Sequence, residues 1–159
     1  MAKEVRRAVM DDVEKIMPLL SSVAQLHADG RKDVFRSPIT THYSESEIKS
    51  FVENGELNIF VSTNEANELT GVLLCRLFIS TNHNILQDSR TLWIEDTCVR
   101  ESHRKEGYGK MLLDFAKNFA KENNCSRVEL NVWSFNKSAH DFYVSQGMMK
   151  QRHTMEYIL

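Results

Sequence analysis

Two glycines one residue apart, set among cations, carry the clearest chemical signal in this chain. In Val99-Arg-Glu-Ser-His-Arg104-Lys105-Glu106-Gly107-Tyr108-Gly109-Lys110, both glycines permit tight turns and close approach of a ligand to the backbone. An amphipathic helical pattern follows, so unpaired N–H groups and the positive end of a helix dipole face the loop. Arg104, Lys105 and Lys110 add side-chain charge. Anion binding is the implied chemistry, with a phosphate-bearing ligand as first candidate and a softened turn at a helix start as the plainer reading. A P-loop is excluded, because Met111 stands where its metal-holding hydroxyl belongs. A dinucleotide fingerprint is excluded too: Leu112 replaces the third small residue, and no βαβ unit opens the segment.

Two further groups of residues bear on chemistry. Glu95 and Asp96 lie side by side in an apolar extended run, where carboxylates are costly unless solvated, paired or used. Downstream, Asn136 reads as a helix N-cap, Ala139, Phe142 and Tyr143 share adjacent positions of one short helix, and Gly147 closes it. The histidines show no metal-ligand spacing, so no metal site is expected. Cys75, Cys98 and Cys125 are odd in number and widely separated, which fits a reducing compartment.

The elements that must position these groups follow from periodicity. Residues 4–9 read as a strand, with Asp11 or Asp12 capping a helix whose stripe runs Val13, Ile16, Met17, Leu20, Val23, Ala24, His27, kinked or restarted near Pro18. A polar, aromatic-containing loop precedes a second helix from Ser44 to Asn54. Leu57–Thr63 and Leu69–Ser80 form a hairpin, Thr91–Val99 the next strand, Val128–Trp133 a fifth, and Thr154–Ile158 a last one. With 159 residues, 42% hydrophobic and 26% charged, the chain suits one ordinary globular domain over 1–159. A net charge of −2 offers no case for nucleic acid. No signal peptide or membrane-spanning run is visible, so a cytoplasmic protein is expected.

The Arg-x-x-Gly-x-Gly loop after a strand, together with Asn136-x-x-Ala139-x-x-Phe142-Tyr143-x-x-x-Gly147, resembles the GNAT superfamily of acyl-CoA-dependent N-acyltransferases. The order of elements matches nearly throughout, while residues 92–147 carry the specific motifs. The resemblance implies a mixed α+β fold: a mostly antiparallel sheet of six to seven strands, splayed between strands 4 and 5, flanked by about four helices. Placing Leu92, Ile94, Thr97 and Val99 on one face then requires an extra residue, a β-bulge.

By the same resemblance, acetyl-CoA is the co-substrate and lies in the splay. Backbone at Thr97, Cys98, Val99 and Arg100 would meet its pantetheine arm and the thioester oxygen. The segment Arg104, Lys105, Glu106, Gly107, Tyr108, Gly109 and Lys110 would hold the pyrophosphate. Asn136 would contact the arm and Ala139 allow close approach. The implied catalytic set is Tyr143 as acid to the leaving thiolate, Glu95 as base and Asp96 as amine-binding group. The acceptor would be a primary amine, with Glu95, Asp96 and the acidic residues of 28–47 favouring a small cationic one, in a pocket shaped by loops 28–43 and 80–90. A protein lysine or N-terminus, a homodimer, and a binding module without efficient transfer are further implications. No membrane or nucleic-acid partner is expected.

Overall fold

The computed structural model describes residues 2–37 and 39–159, so Pro38 of the expected loop lies outside them. Strands β1 (Glu4–Arg7), β2 (Asn58–Thr63), β3 (Leu69–Ser80), β4 (Ser89–Val99) and β5 (Arg127–Glu129) form one sheet in chain order. The first four pair antiparallel, and β5 joins β4 in parallel. Helices α1 (Val13–Gly30) and α2 (Glu45–Asn54) cover one face. Helix α3 (Tyr108–Glu122) covers the other, where α4 (Lys137–Ser145) also packs.

Alternation along the central strands builds both cores. Ile59, Val61, Val72 and Leu74 face Val13, Ile16, Leu20 and Ile48 of the first two helices. Phe60, Leu73, Cys75, Leu92 and Ile94 face Leu112, Leu113 and Ala116 of α3. A strand buried on both faces reads as a nearly continuous apolar run, as β3 does from Val72 to Cys75. Among the described residues, no helix is long and apolar enough to cross a membrane.

The sheet has five strands and not the expected six to seven, because Thr154–Ile158 forms none. Residues 148–159 belong to no helix or strand, held instead by Arg31 to Glu156 at 2.8 Å and Gln151 to Glu129 at 2.8 Å. The fifth strand is only Arg127–Glu129, shorter than the apolar pattern to Trp133 suggested. Asp12 does not cap α1 with its side chain. Its carboxylate turns back to the Val9 N–H at 2.9 Å and to Arg6 at 2.6 and 3.0 Å. Burial would raise this carboxyl, but the Arg6 guanidinium and the Val9 N–H hold it below its ordinary value. Its contribution to stability is therefore present above the usual carboxylate range and lost as pH falls through it. Asp12→Ala is expected to cost about 2–4 kcal/mol, leaving Arg6 half-buried and unpaired. Urea midpoints measure this, and a loss below about 1 kcal/mol would reject the assignment.

Candidate functional site

The sheet opens where β5 ends. Strand β4 pairs with β5 only at Thr91, Leu92 and Trp93, so residues 94–99 face a gap on that side. Against β3, Ile94 lies opposite Cys75 and Asp96 opposite Leu74, which leaves Glu95 as the extra residue of a bulge. That shift puts Leu92, Ile94, Thr97 and Val99 on the α3 side, opposite Leu77, Cys75, Leu73 and Gly71 respectively. The bulge expected from the phase of this strand is present, at Glu95 itself rather than after Asp96.

Past the bulge, the Arg100 N–H donates to the Thr70 carbonyl at 2.7 Å. Alternation then turns the backbone groups of Cys98 toward β3 and those of Thr97 and Val99 into the gap. The Arg100 N–H and the backbone groups of Cys98 are thus taken up by β3, while the Arg100 carbonyl accepts from the His103 N–H at 2.9 Å. The Cys98 side chain faces α1, its sulfur 3.5 Å from Ser22 Oγ, and burial pushes its thiol up.

Beyond β4 the chain makes a 3-10 turn at Glu101–His103 and then passes Lys105 at φ 65° and Gly107 at φ 92°. A Cβ on Gly107 would meet nothing within 4 Å, so backbone conformation is what calls for glycine there. Gly107 also precedes α3 without a side-chain cap, leaving the first-turn N–H groups unpaired until Met111 donates to Gly107 at 3.0 Å. Gly109 has a different reason. A Cβ there would lie 3.3 Å from the Phe142 ring, so its smallness serves the packing of α3 against α4.

Tyr108 is 1% exposed as a whole residue, with Lys3 Nζ 4.5 Å from its ring centre, so its side chain packs into the fold and is not offered to a ligand. Lys110 is drawn to Asp114, and Glu106 accepts from Lys3 through its carbonyl at 3.3 Å. Arg104 and Lys105 are exposed and enter no ion pair among the described residues. A loop of free N–H groups and two free cations suits an anion.

Helix α4 borders the same opening. The Asn136 side chain accepts from the Ala139 N–H at 3.1 Å, leaving its amide NH₂ for another partner. At the other end Met148 N–H donates to Tyr143 and Gly147 N–H to Val144, both at 3.0 Å, with Gly147 at φ 86°. That double closure fixes the helix end and with it the direction of Tyr143. Tyr143 is half-buried among the apolar groups of the α3 face. Burial raises its phenol well above the ordinary value, and Asp96 and Cys98 push the same way.

The two carboxylates differ sharply. Glu95 accepts from Arg76 Nε at 2.8 Å and from Tyr43 Oη at 2.5 Å, so both oxygens are engaged. Asp96 has no such partner among the described residues, and burial with Glu95 nearby pushes it up to about 6, against a lowering pull from His42. Both line a cavity of about 650 Å³ between α1, the loop 34–43, β4 and the segment after β5. Residues 80–90 do not border this cavity, contrary to expectation, while 34–36 and 39–43 do. Phe35, Arg76 and Trp133 also belong to this region and were not singled out by spacing. Their partners lie far off in sequence, and only the aromatic content of the loop and the Trp133 beside the Asn136 motif hinted at them. Among the described residues, no group of three or more His, Cys, Asp or Glu side chains is arranged to hold a metal.

Comparison with known proteins agrees with this geometry. The sequence model described as the acetyltransferase (GNAT) family matches residues 24–148. Tyramine N-feruloyltransferase 4/11 of Nicotiana tabacum is 30% identical over 103 residues, covering 64% of this chain and 46% of that protein. The chain spans less than half the length of the first curated relatives it matches. Among solved structures, a tetramutant of the BH1408 protein from Bacillus halodurans superposes with a TM-score of 0.91 at 28% identity, covering 98% of this chain and 99% of that one. An aminoglycoside acetyltransferase from an uncultured soil metagenomic sample reaches a TM-score of 0.71 at 18% identity, over 99% and 96% of the two chains, a likeness of fold.

Proposed function

The chain belongs to the acetyltransferase (GNAT) family, and from that premise we propose that it moves acetyl from acetyl-CoA to a primary amine by direct attack within a ternary complex. The open edge of β4 beyond Trp93, with Asp96 lining the cavity beside it, is the observation that carries this reading. The names of the tobacco relatives describe N-acyl transfer to an amine, which supports the same class of reaction. We take the active unit to be a single domain over 1–159 and place it in the cytoplasm, a setting that suits three free cysteines.

Each group has a task. Arg104, Lys105 and the N–H groups from Gly107 to Lys110 hold the pyrophosphate. Thr97 and Val99 align the pantetheine arm along the open edge, with the Asn136 amide beside it. The Val99 N–H points to where negative charge grows on the thioester oxygen. The base is Asp96, since Glu95, the first expectation for that role, already has both oxygens in hydrogen bonds. Asp96 binds the ammonium, which loses one proton to solvent to become the attacking amine. As that amine's electron pair forms the N–C bond and the nitrogen becomes acidic, Asp96 takes a second proton from it, directly or through water. Glu95 fixes Tyr43 and Arg76 around the acceptor. The Tyr143 phenol, held in its protonated form by burial, donates toward the departing thiolate.

Hydrolysis-corrected release of CoA from acetyl-CoA, measured with a panel of primary amines, tests the reading. At least one amine is expected to exceed the background rate clearly. Acetyl-CoA binding without acceleration by any amine would make the chain a binding module instead. Arg104→Ala is expected to weaken acetyl-CoA binding about tenfold or more, the scale of one charged hydrogen bond. Loss of turnover at saturating acetyl-CoA with unchanged affinity would remove Arg104 from the pyrophosphate site.

A further inference from the structure

Counting the charges that remain free along the acceptor cavity separates classes of amine. Asp29, Asp33, Glu45 and Glu47 are the acidic residues of the 28–47 segment, and none of them borders the cavity. Gln25 donates to Asp29, Arg31 pairs with Asp33, Lys49 pairs with Glu45, and Glu47 closes the start of α2 through Ser44. Glu95 does border it, but Arg76 balances its charge at 2.8 Å. Asp96 is then the one carboxylate lining the cavity, among the described residues, without a cation of its own. Arg36 contributes a positive charge to the same lining. A substrate with two or three ammonium groups would find one partner and one repulsion.

The rest of the wall is apolar and aromatic. Phe35 meets Trp133 edge-on at 5.6 Å and stacks on His27 at 5.6 Å. His27 is itself lowered by burial, which favours the neutral ring. Leu20, Val23 and Ala24 of α1 line the same space. From outside, the Arg31 guanidinium lies 5.5 Å from the Trp133 ring centre while bonded to Asp33 and Glu156, which fixes the aromatic wall in place. About 650 Å³ is within the range of small-molecule sites, and aromatic rings favour edge and offset contacts of this kind.

We propose that the acceptor is a monoamine with an arylalkyl body, its ammonium on Asp96 and its ring against the wall formed by the Phe35–Trp133 pair, and not a polyamine. This deepens the transferase reading and rests on it.

The test compares kcat/KM for phenethylamine, propylamine and spermidine at saturating acetyl-CoA, with calorimetric titration of phenethylamine and spermidine alongside. Phenethylamine is expected to exceed both others by about tenfold or more, the scale of burying one ring face. Trp133→Leu, which keeps an apolar side chain but removes the ring, is expected to lower the phenethylamine-to-propylamine ratio about tenfold. Phe35→Leu serves as the second variant should the first fail to fold, with the same expectation. Spermidine turned over as well as phenethylamine, or better, overturns the monoamine proposal while sustaining acetyl transfer. No turnover of any amine overturns the transferase reading; titration then still decides the cavity, since spermidine binding more tightly than phenethylamine, or neither binding, overturns its aromatic assignment.

Discussion

Replacing Asp96 with asparagine is expected to lower kcat/KM by about 10²-fold or more, the usual contribution of a positioned proton acceptor. Asparagine keeps the shape and loses the charge, so the ammonium loses its partner and the reaction its base. Two further readouts separate this from a structural effect. With the folded carboxyl pushed up to about 6 from 3.8, the wild-type rate should rise through that pH, superimposed on the steady rise from deprotonation of the amine itself. The limb near 6 should be absent from the variant.

Stability should move the other way. Between the two values the folded state holds the proton that the unfolded chain has released, so the wild type loses stability as pH rises through this window. At pH 8 Asp96→Asn is therefore expected to be the more stable protein, by about 1–2 kcal/mol after allowing for partial exposure of the site. The advantage should vanish below about pH 4, where Asp96 is protonated in both states. Turnover within threefold of wild type, or a persistent limb near 6, would return the base role to another group.

Tyr143→Phe should reduce kcat about 10- to 100-fold while leaving the affinity for acetyl-CoA unchanged. The ring still packs against Phe142 and the α3 face, and the loop at Gly107 is untouched. What disappears is the hydroxyl beside the leaving sulfur. The two side chains should also prove coupled. The charge of Asp96 contributes to raising the phenol, so protonation of Asp96 by the amine makes Tyr143 a better acid just as the thiolate forms. A double variant should accordingly be less impaired than the product of the single effects. Full additivity would separate the two residues, and unchanged turnover in Tyr143→Phe would remove the phenol from the chemistry.

Features that depend on near neighbours are legible in the order of residues alone. Asn136 caps its helix, Gly147 ends it, and Gly107 opens α3, because each depends on backbone groups within a few residues. The phase of β4 announces an extra residue between Ile94 and Thr97 but cannot say which. Arg76 and Tyr43, far away in the chain, hold the side chain of Glu95, the residue left unpaired there. The same long-range pairing engages both oxygens of Glu95, the expected base, which is why the proposed mechanism gives that role to Asp96. Val128–Trp133 has the apolar content of a longer strand, yet β5 stops at Glu129. Thr154–Ile158 alternates as a strand should, but alternation cannot supply a neighbouring edge, and the tail finds Arg31 instead. Gly109 looks like a residue kept small for a ligand, whereas Phe142 of another helix is what it makes room for.

The bulge at Glu95 also decides where this chain tolerates changes of length. Removing Glu95 would leave an unbroken two-residue alternation in which Ile94 still faces Cys75 and Asp96 still faces Leu74, so the faces from Asp96 to Val99 would be kept and only the bulge, with the contacts of Glu95, would go. A residue added between Asp96 and Val99 would instead exchange the faces beyond it, turning Val99 toward the cavity side unless the strand bulged a second time. The connection between β3 and β4 has no such constraint, since residues 81–88 belong to no helix or strand and border no part of the cavity. Stretches a few residues apart thus differ in the changes of length they can accept: free variation at the hairpin tip, loss of a single residue at Glu95 without exchange of faces, and beyond Asp96 a frame that only a second bulge could restore.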